Sequence, residues 1–235
     1  MAKLLFFADP KLRRKIRIVE LVTSPVFNEF LELRQYDEGD GFDEALQNNW
    51  FSLQSTSRLH SLFQQLDTCG KGSLSSQQLL AYGQGNYTEL FINRVFEEHV
   101  CKKRSPEGSS NQSEMNIEEF LTFLLAVKNR ESPQSLSYFF QILDLEGQGY
   151  ITGKEIHIFF REVHSKWIAS ETTELLQDDV TDEVFDMVGP ARADRIYRRD
   201  LMSCSMGGTV TGMLTDYSEF WMYENREALV QYVDE

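Results

Sequence analysis

The chain has 235 residues, 41% hydrophobic and 12% aromatic, enough for one large or two modest domains with a real core. Against 23 Lys and Arg stand 37 Asp and Glu, and a formal net charge of -14 argues against a sequence-independent grip on DNA or RNA, which needs clustered cations. No run approaches the length of a membrane span, and the opening M-A-K-L-L-F-F-A-D-P is too short in apolar residues for a secretory signal, so a cytoplasmic chain is expected.

In chain order, the first feature is the basic run Lys11 to Lys15 (K-L-R-R-K), which reads as a solvated loop or as a contact for an acidic surface. A second short basic run, Lys102 to Arg104, precedes Ser105 to Ser113, a polar stretch charged only at Glu107 that reads as a surface loop. From Asn116 to Lys128, residues Ile117, Phe120, Leu121, Leu124 and Leu125 follow the i, i+3, i+4, i+7, i+8 spacing of a buried helical face. Ser135 to Leu143 and Lys154 to Trp167 bracket the polar stretch Asp144 to Gly153, giving helix, loop, helix. A further helix, D-E-V-F-D-M-V, is stopped by Gly189 and Pro190. Helices are many and strands few, so the expected fold is all-α. Near the end, the block Trp221 to Glu227 carries the Trp, Tyr and Arg types of interface hot spots, but Phe220 and Trp221 are expected in the core, because aromatics bury large areas.

Three cysteines, Cys69, Cys101 and Cys204, are odd in number and lack a C-x-x-C pair, so neither a disulfide framework nor a zinc site is expected. His60, His99, His157 and His164 give no H-E-x-x-H spacing and read as packed or solvated. No P-loop, G-x-S-x-G elbow or phosphatase metal motif is present, so no catalytic residues are assigned and the chain is not expected to be an enzyme.

The helix-loop-helix rhythm invites comparison with a calcium loop, which needs oxygen donors at positions 1, 3, 5, 7 and 9, glycine at 6 and a bidentate Glu at 12. The segment from Asp144 to Glu155 meets this pattern. Asp144 stands at 1, Glu146 at 3, Gln148 at 5, Gly149 at 6, the Tyr150 carbonyl at 7, Ile151 at the apolar position 8, Thr152 at 9 and Glu155 at 12. Three carboxylates and a neutral amide predict Ca²⁺ held with weak or moderate affinity, at the micromolar or weaker end of the range.

Asp67 to Gln78 keeps Asp67, Gly72 and the apolar Leu74, but Cys69 is a soft ligand, Lys71 a cation and Gln78 no bidentate carboxylate. Aligning on position 8 exposes three fainter echoes: 9 to 20 with Ile16, 108 to 119 with Met115, and 189 to 200 with Ile196. In the first of these, Lys11, Arg13 and Arg14 would repel a divalent ion. All are expected to be vestigial hands that pair through short β contacts around position 8. The starts at 67, 108, 144 and 189 make a repeat of helix pairs. The predicted organisation is an N-terminal lobe, residues 1 to 129, with degenerate loops 9 to 20, 67 to 78 and 108 to 119. A C-terminal lobe, residues 130 to 235, carries loop 144 to 155 and degenerate loop 189 to 200.

Short blocks run the length of the chain: F-F-A-D-P from Phe6, K-I-R-I from Lys15, L-E-L-R from Leu31, N-W-F-S from Asn49 and Y-G-Q-G from Tyr82. They continue with R-V-F from Arg94, N-R-E-S-P from Asn129, L-D-L-E-G-Q-G-Y from Leu143, V-F-D-M-V from Val184 and F-W-M-Y-E-N-R-E-A-L from Phe220. In order and spacing they resemble the B'' regulatory subunits of protein phosphatase 2A, specifically the gamma-type branch that includes plant members organising cortical microtubules. The resemblance implies tandem EF-hand-like repeats and a non-catalytic adaptor that docks on the HEAT-repeat scaffold and the catalytic subunit and directs substrate choice or location. It also implies a cytoskeletal, centrosomal or basal-body address and partners there. Family members commonly carry a further N-terminal region of comparable size. The rival reading is a stand-alone EF-hand calcium sensor or cytoskeletal structural protein.

Overall fold

A computed structural model describes residues 2–9, 16–33, 49–101, 114–170 and 175–231. Both basic runs, the stretch Ser105 to Ser113, half of loop 9 to 20 (residues 10–15) and half of loop 108 to 119 (residues 108–113) lie outside the described residues.

The helices, in chain order, begin with α1 (Ala2–Ala8), α2 (Ile18–Val22), α3 (Pro25–Glu32), α4 (Leu53–Leu66) and α5 (Ser76–Leu80). Next come α6 (Glu89–Val95), continued by a π turn (Phe96–Cys101), then α7 (Ile117–Lys128), α8 (Pro133–Leu143) and α9 (Gly153–Ser170). The chain continues through α10 (Gln177–Val188), α11 (Arg198–Ser203), α12 (Gly207–Thr215), α13 (Tyr217–Glu224) and α14 (Arg226–Gln231). Two strands of two residues each, β1 (Tyr150–Ile151) and β2 (Ile196–Tyr197), complete an all-α fold as expected. No described helix is long and apolar enough to cross a membrane.

Local chemistry sets the helix ends. Ser52 and Ser132 accept the backbone N–H groups of Ser55 and Ser135 at 3.1 and 3.2 Å, starting α4 and α8, and Pro133 suits the first turn of α8 because it has no N–H to satisfy. Gly189, with φ of 56°, ends α10 in the left-handed conformation that glycine adopts without a Cβ penalty.

The chain divides into two compact units. One comprises residues 1–74 and 115–125, the other 75–114 and 126–235. In the first, Phe63 and Phe120 pack with ring centres 5.5 Å apart, and Leu74 and Met115 exchange two backbone hydrogen bonds of 2.8 Å. The N-W-F-S block has a local job there. Trp50 N–H donates to the Glu29 carboxylate at 2.8 Å, and Asn49 Nδ2 to the Glu29 carbonyl at 2.7 Å, fastening the approach to α4 onto α3.

In the second unit, Phe91 stacks on Phe139 at 5.6 Å, and Phe220 meets Phe160 and Trp167 edge-on at 4.8 and 5.3 Å. Each fully buried ring contributes about 1.5–3 kcal/mol before the entropy of ordering it. His99, stacked on Tyr138 at 3.6 Å, is a packed histidine. The N-R-E-S-P block is an anchor: Arg130 pairs with Asp216 at 3.1 Å and with Glu219, both side chains of the first pair being about nine-tenths buried. At the start of α12, a Cβ on Gly207 would lie 2.6 Å from the Leu201 carbonyl oxygen, so the helix needs glycine at that close backbone approach.

Two details differ from the sequence reading. In α7 the buried set is Phe120, Phe123, Leu124, Leu125 and Ala126, while Ile117 is 38% exposed. Ile117 occupies the first turn, at the rim, and the core takes a wider stripe further along the helix than the assigned positions cover. Phe220 is fully buried, but Trp221 is only partly covered.

Candidate functional site

Loops 67 to 78 and 144 to 155 are built on a shared turn. Asp144 Oδ1 accepts the N–H of Gln148 at 3.0 Å and its Oδ2 that of Gly149 at 2.7 Å; Asp67 does the same for Lys71 and Gly72 at 3.1 and 2.6 Å. Gly147 and Gly149, like Gly70 and Gly72, have positive φ, which this double reversal requires. The first residue of these two loops is therefore a structural acceptor before it is anything else.

Loops meet where the apolar position 8 predicts. Leu74 bridges Met115 within the first unit, and Ile151 pairs with Ile196 and Tyr150 with Tyr197 in an antiparallel ladder within the second. Each of these position-8 residues is no more than 3% exposed.

Position 12 has a common task that the sequence reading missed. Gln78, Glu119, Glu155 and Asp200 each accept the backbone N–H of the residue three before, Ser75, Asn116, Thr152 and Tyr197, at 2.9 Å. This is the return half of a capping box that satisfies an orphan donor at a helix start. The signal was present in S-x-x-Q at Ser75 and N-x-x-E at Asn116.

Loop 144 to 155 adds more. Glu155 is 1% exposed and Asp144 8%, and neither carboxylate has a cation within ion-pair distance among the described residues. Glu155 Oε2 also accepts the Thr152 hydroxyl, and Oε1 accepts Gln148 Nε2 at 3.3 Å, so Gln148 touches both buried acids through its backbone and side chain. Glu146 is placed elsewhere. Its carboxylate pairs with Lys154 Nζ at 2.7 Å on the exposed side of the loop. That hydrogen bond and charge hold the Lys154 ammonium above its ordinary range. Among the described residues no three His, Cys, Asp or Glu side chains are gathered as a metal cluster. The loop thus brings together Asp144, Gln148, Thr152 and Glu155, with Tyr150 in the adjoining strand, and leaves Glu146 at the rim.

This donor set fits a hard divalent cation. Two buried carboxylates are held by neutral donors alone, a circumstance in which a bound cation would relieve the cost of burying charge. The partner loop 189 to 200 offers nothing equivalent. Gly189 replaces the first acid, Asp194 is paired with Arg195 and Arg192, and Arg195 lies 4.6 Å over the Tyr150 ring. Its arginines provide cationic charge in place of metal ligands. At the entry to the site, Arg94 donates to the carbonyls of Ile142 and Asp144 at 3.3 and 3.4 Å and pairs with Glu97 and Glu98, capping the C-terminus of α8.

No protein-family model matches the chain. Among curated proteins it is 43% identical over 229 residues, 97% of its length, to TON2 of Arabidopsis thaliana, a probable serine/threonine-protein phosphatase 2A regulatory subunit of the B'' class. It is 36% identical over 228 residues to the human gamma-type B'' regulatory subunit of the same phosphatase. The chain spans about half the length of these relatives, 47% and 48%. A chain in a solved PP2A PR70 holoenzyme has the same fold, with a TM-score of 0.78 over 94% of this chain and 77% of that one, at 21% identity.

Proposed function

We propose that this chain, a relative of the B'' regulatory subunits of protein phosphatase 2A along nearly all its length, is a non-catalytic regulatory module of that phosphatase. Its role is recruitment: docking on the scaffold and catalytic subunits and directing substrate choice or location, with a cytoskeletal address in the cytoplasm. The observation that carries the reading is 43% and 36% identity, over alignments spanning 97% of the chain, to proteins named as regulatory subunits. The same fold in a PP2A PR70 holoenzyme chain supports it, and the cytoskeletal part rests on the sequence blocks shared with the gamma-type branch. Function on this scaffold resides in docking surfaces and in one loop. In that loop Asp144, Gln148, Thr152, Glu155 and the Tyr150 carbonyl would hold Ca²⁺, which supplies charge neutralisation and rigidity to the turn.

The test is co-elution of the full chain with purified scaffold and catalytic subunits, in Ca²⁺ and in chelator, with Asp144→Ala as the control. Retention of the chain on the complex at low and moderate salt is expected. Absence of retention at both salts in both conditions overturns the docking reading.

A further inference from the structure

Lys154 and Glu146 occupy positions 11 and 3 of the loop, which a metal-loaded hand would use differently. Position 3 is a ligand position, whereas position 11 lies on the first turn of α9. Here the two side chains meet at 2.7 Å, both more than half exposed, while the acids at positions 1 and 12 are buried. The loop therefore carries its own cation on the one ligand carboxylate free to swing. Position 5 is committed in a similar way, since the Gln148 amide nitrogen donates to Glu155. The Glu146 contact differs in being ionic, exposed and made outside the buried part of the loop.

We propose that Lys154 is an internal competitor for Glu146 and sets the affinity of the loop for Ca²⁺. The inference rests on the reading of this loop as a calcium site. Binding with Glu146 as ligand requires the carboxylate to leave Lys154, so part of the gain from coordination is spent in breaking the ion pair. Alternatively, the ion is held without Glu146, with one carboxylate fewer. Either route weakens binding relative to a loop without the lysine. Exposed ion pairs are modest and screened by salt. The competition is consequently graded: it tunes affinity and fades as ionic strength rises.

A charge two or three residues from an ion also repels it through space, and a double-mutant cycle separates the two effects. Ca²⁺ is titrated by calorimetry, with Tb³⁺ luminescence as a second probe, into the full chain and into Lys154→Met, Glu146→Gln and the double variant at low and moderate salt. The expected result is tightening by Lys154→Met of about threefold or more at low salt, the scale of an exposed ion pair. That gain should shrink in the Glu146→Gln background. Far-ultraviolet circular dichroism confirms that each variant keeps its helices. An equal gain with and without Glu146 assigns the effect to through-space repulsion and overturns the proposal, as does no change on removing Lys154. If wild type binds and Lys154→Met binds identically, the calcium reading stands and the competition falls. If no variant binds either ion at millimolar concentration, both fall together.

Discussion

Loops 67 to 78 and 144 to 155 use one turn for different ends. In each, the opening aspartate gathers the N–H groups at positions 5 and 6, and the closing residue returns to cap position 9. They part at the donors. The second loop buries its glutamate at 12 and adds Gln148 and Thr152 around it, whereas the first offers exposed Cys69 and Lys71 and closes with a neutral amide. The comparison teaches that the helix-loop-helix shape is maintained by hydrogen bonds to backbone, which any acceptor can make. Metal chemistry is a separate layer that can be lost without losing the turn.

The largest effect should come from restoring the missing layer. With the turn already formed, the triple change Cys69→Asp, Lys71→Asp and Gln78→Glu supplies donors at positions 3, 5 and 12. It should take the first loop from no measurable binding to a Kd of about 10⁻⁵–10⁻⁴ M for Ca²⁺. Calorimetry in the Asp144→Ala background checks it, and continued silence would mean that the turn, not the donors, is inadequate.

Next in size is the dual role of Glu155. Removing it with Glu155→Ala strips buried acceptors from Thr152 and Gln148 and should lower stability by about 1–3 kcal/mol. Glu155→Gln, which keeps an oxygen for the Thr152 N–H, should lose less than about half of that while abolishing the metal response. Urea denaturation of both variants in chelator, beside Gln78→Ala, ranks the caps. A Gln78→Ala loss larger than that of Glu155→Ala would reverse the comparison, since Gln78 caps a half-buried turn.

How far these differences were legible varies with the physical range of the interaction. The all-α architecture, the turn at Asp144 and the pairing at position 8 follow from local periodicity and from where an apolar residue interrupts a polar loop, so Leu74 with Met115 and Ile151 with Ile196 were within reach. Reading position 12 only for oxygens to offer an ion hid its capping work. Glu146 and Lys154 are eight residues apart and meet only because the loop reverses, so spacing along a strand or helix could not reveal them. Arg130 and Asp216 are 86 residues apart, and only the folded chain brings them together. That distance explains how the N-R-E-S-P block can be prominent in the sequence while its purpose is packing.

The smallest effect contrasts the loop acids with an acid outside the loops. Partial burial, and then the neighbouring Glu183, raise the Glu224 carboxyl above its ordinary range, with Arg226 opposing. A raised folded-state value means the folded chain binds this proton more tightly than the unfolded one. Charged Glu224 therefore opposes folding at neutral pH, and that penalty is relieved as pH falls through the folded value toward the unfolded one. Glu224→Gln should stabilise the protein at pH 7 by less than about 1 kcal/mol, given its solvent screening, and the advantage should vanish below about pH 4, beneath the ordinary Glu value. Thermal melts across pH check the sign. An advantage that grows toward acid would contradict it.

The most direct measurement is the stoichiometry of Ca²⁺ bound to the full chain by isothermal titration calorimetry, repeated with Asp144→Ala and with Asp67→Ala. One ion per chain, lost with Asp144→Ala and kept with Asp67→Ala, is the result predicted for a set of hands in which a single loop retains metal chemistry. Two ions per chain, none, or one that survives Asp144→Ala would contradict it.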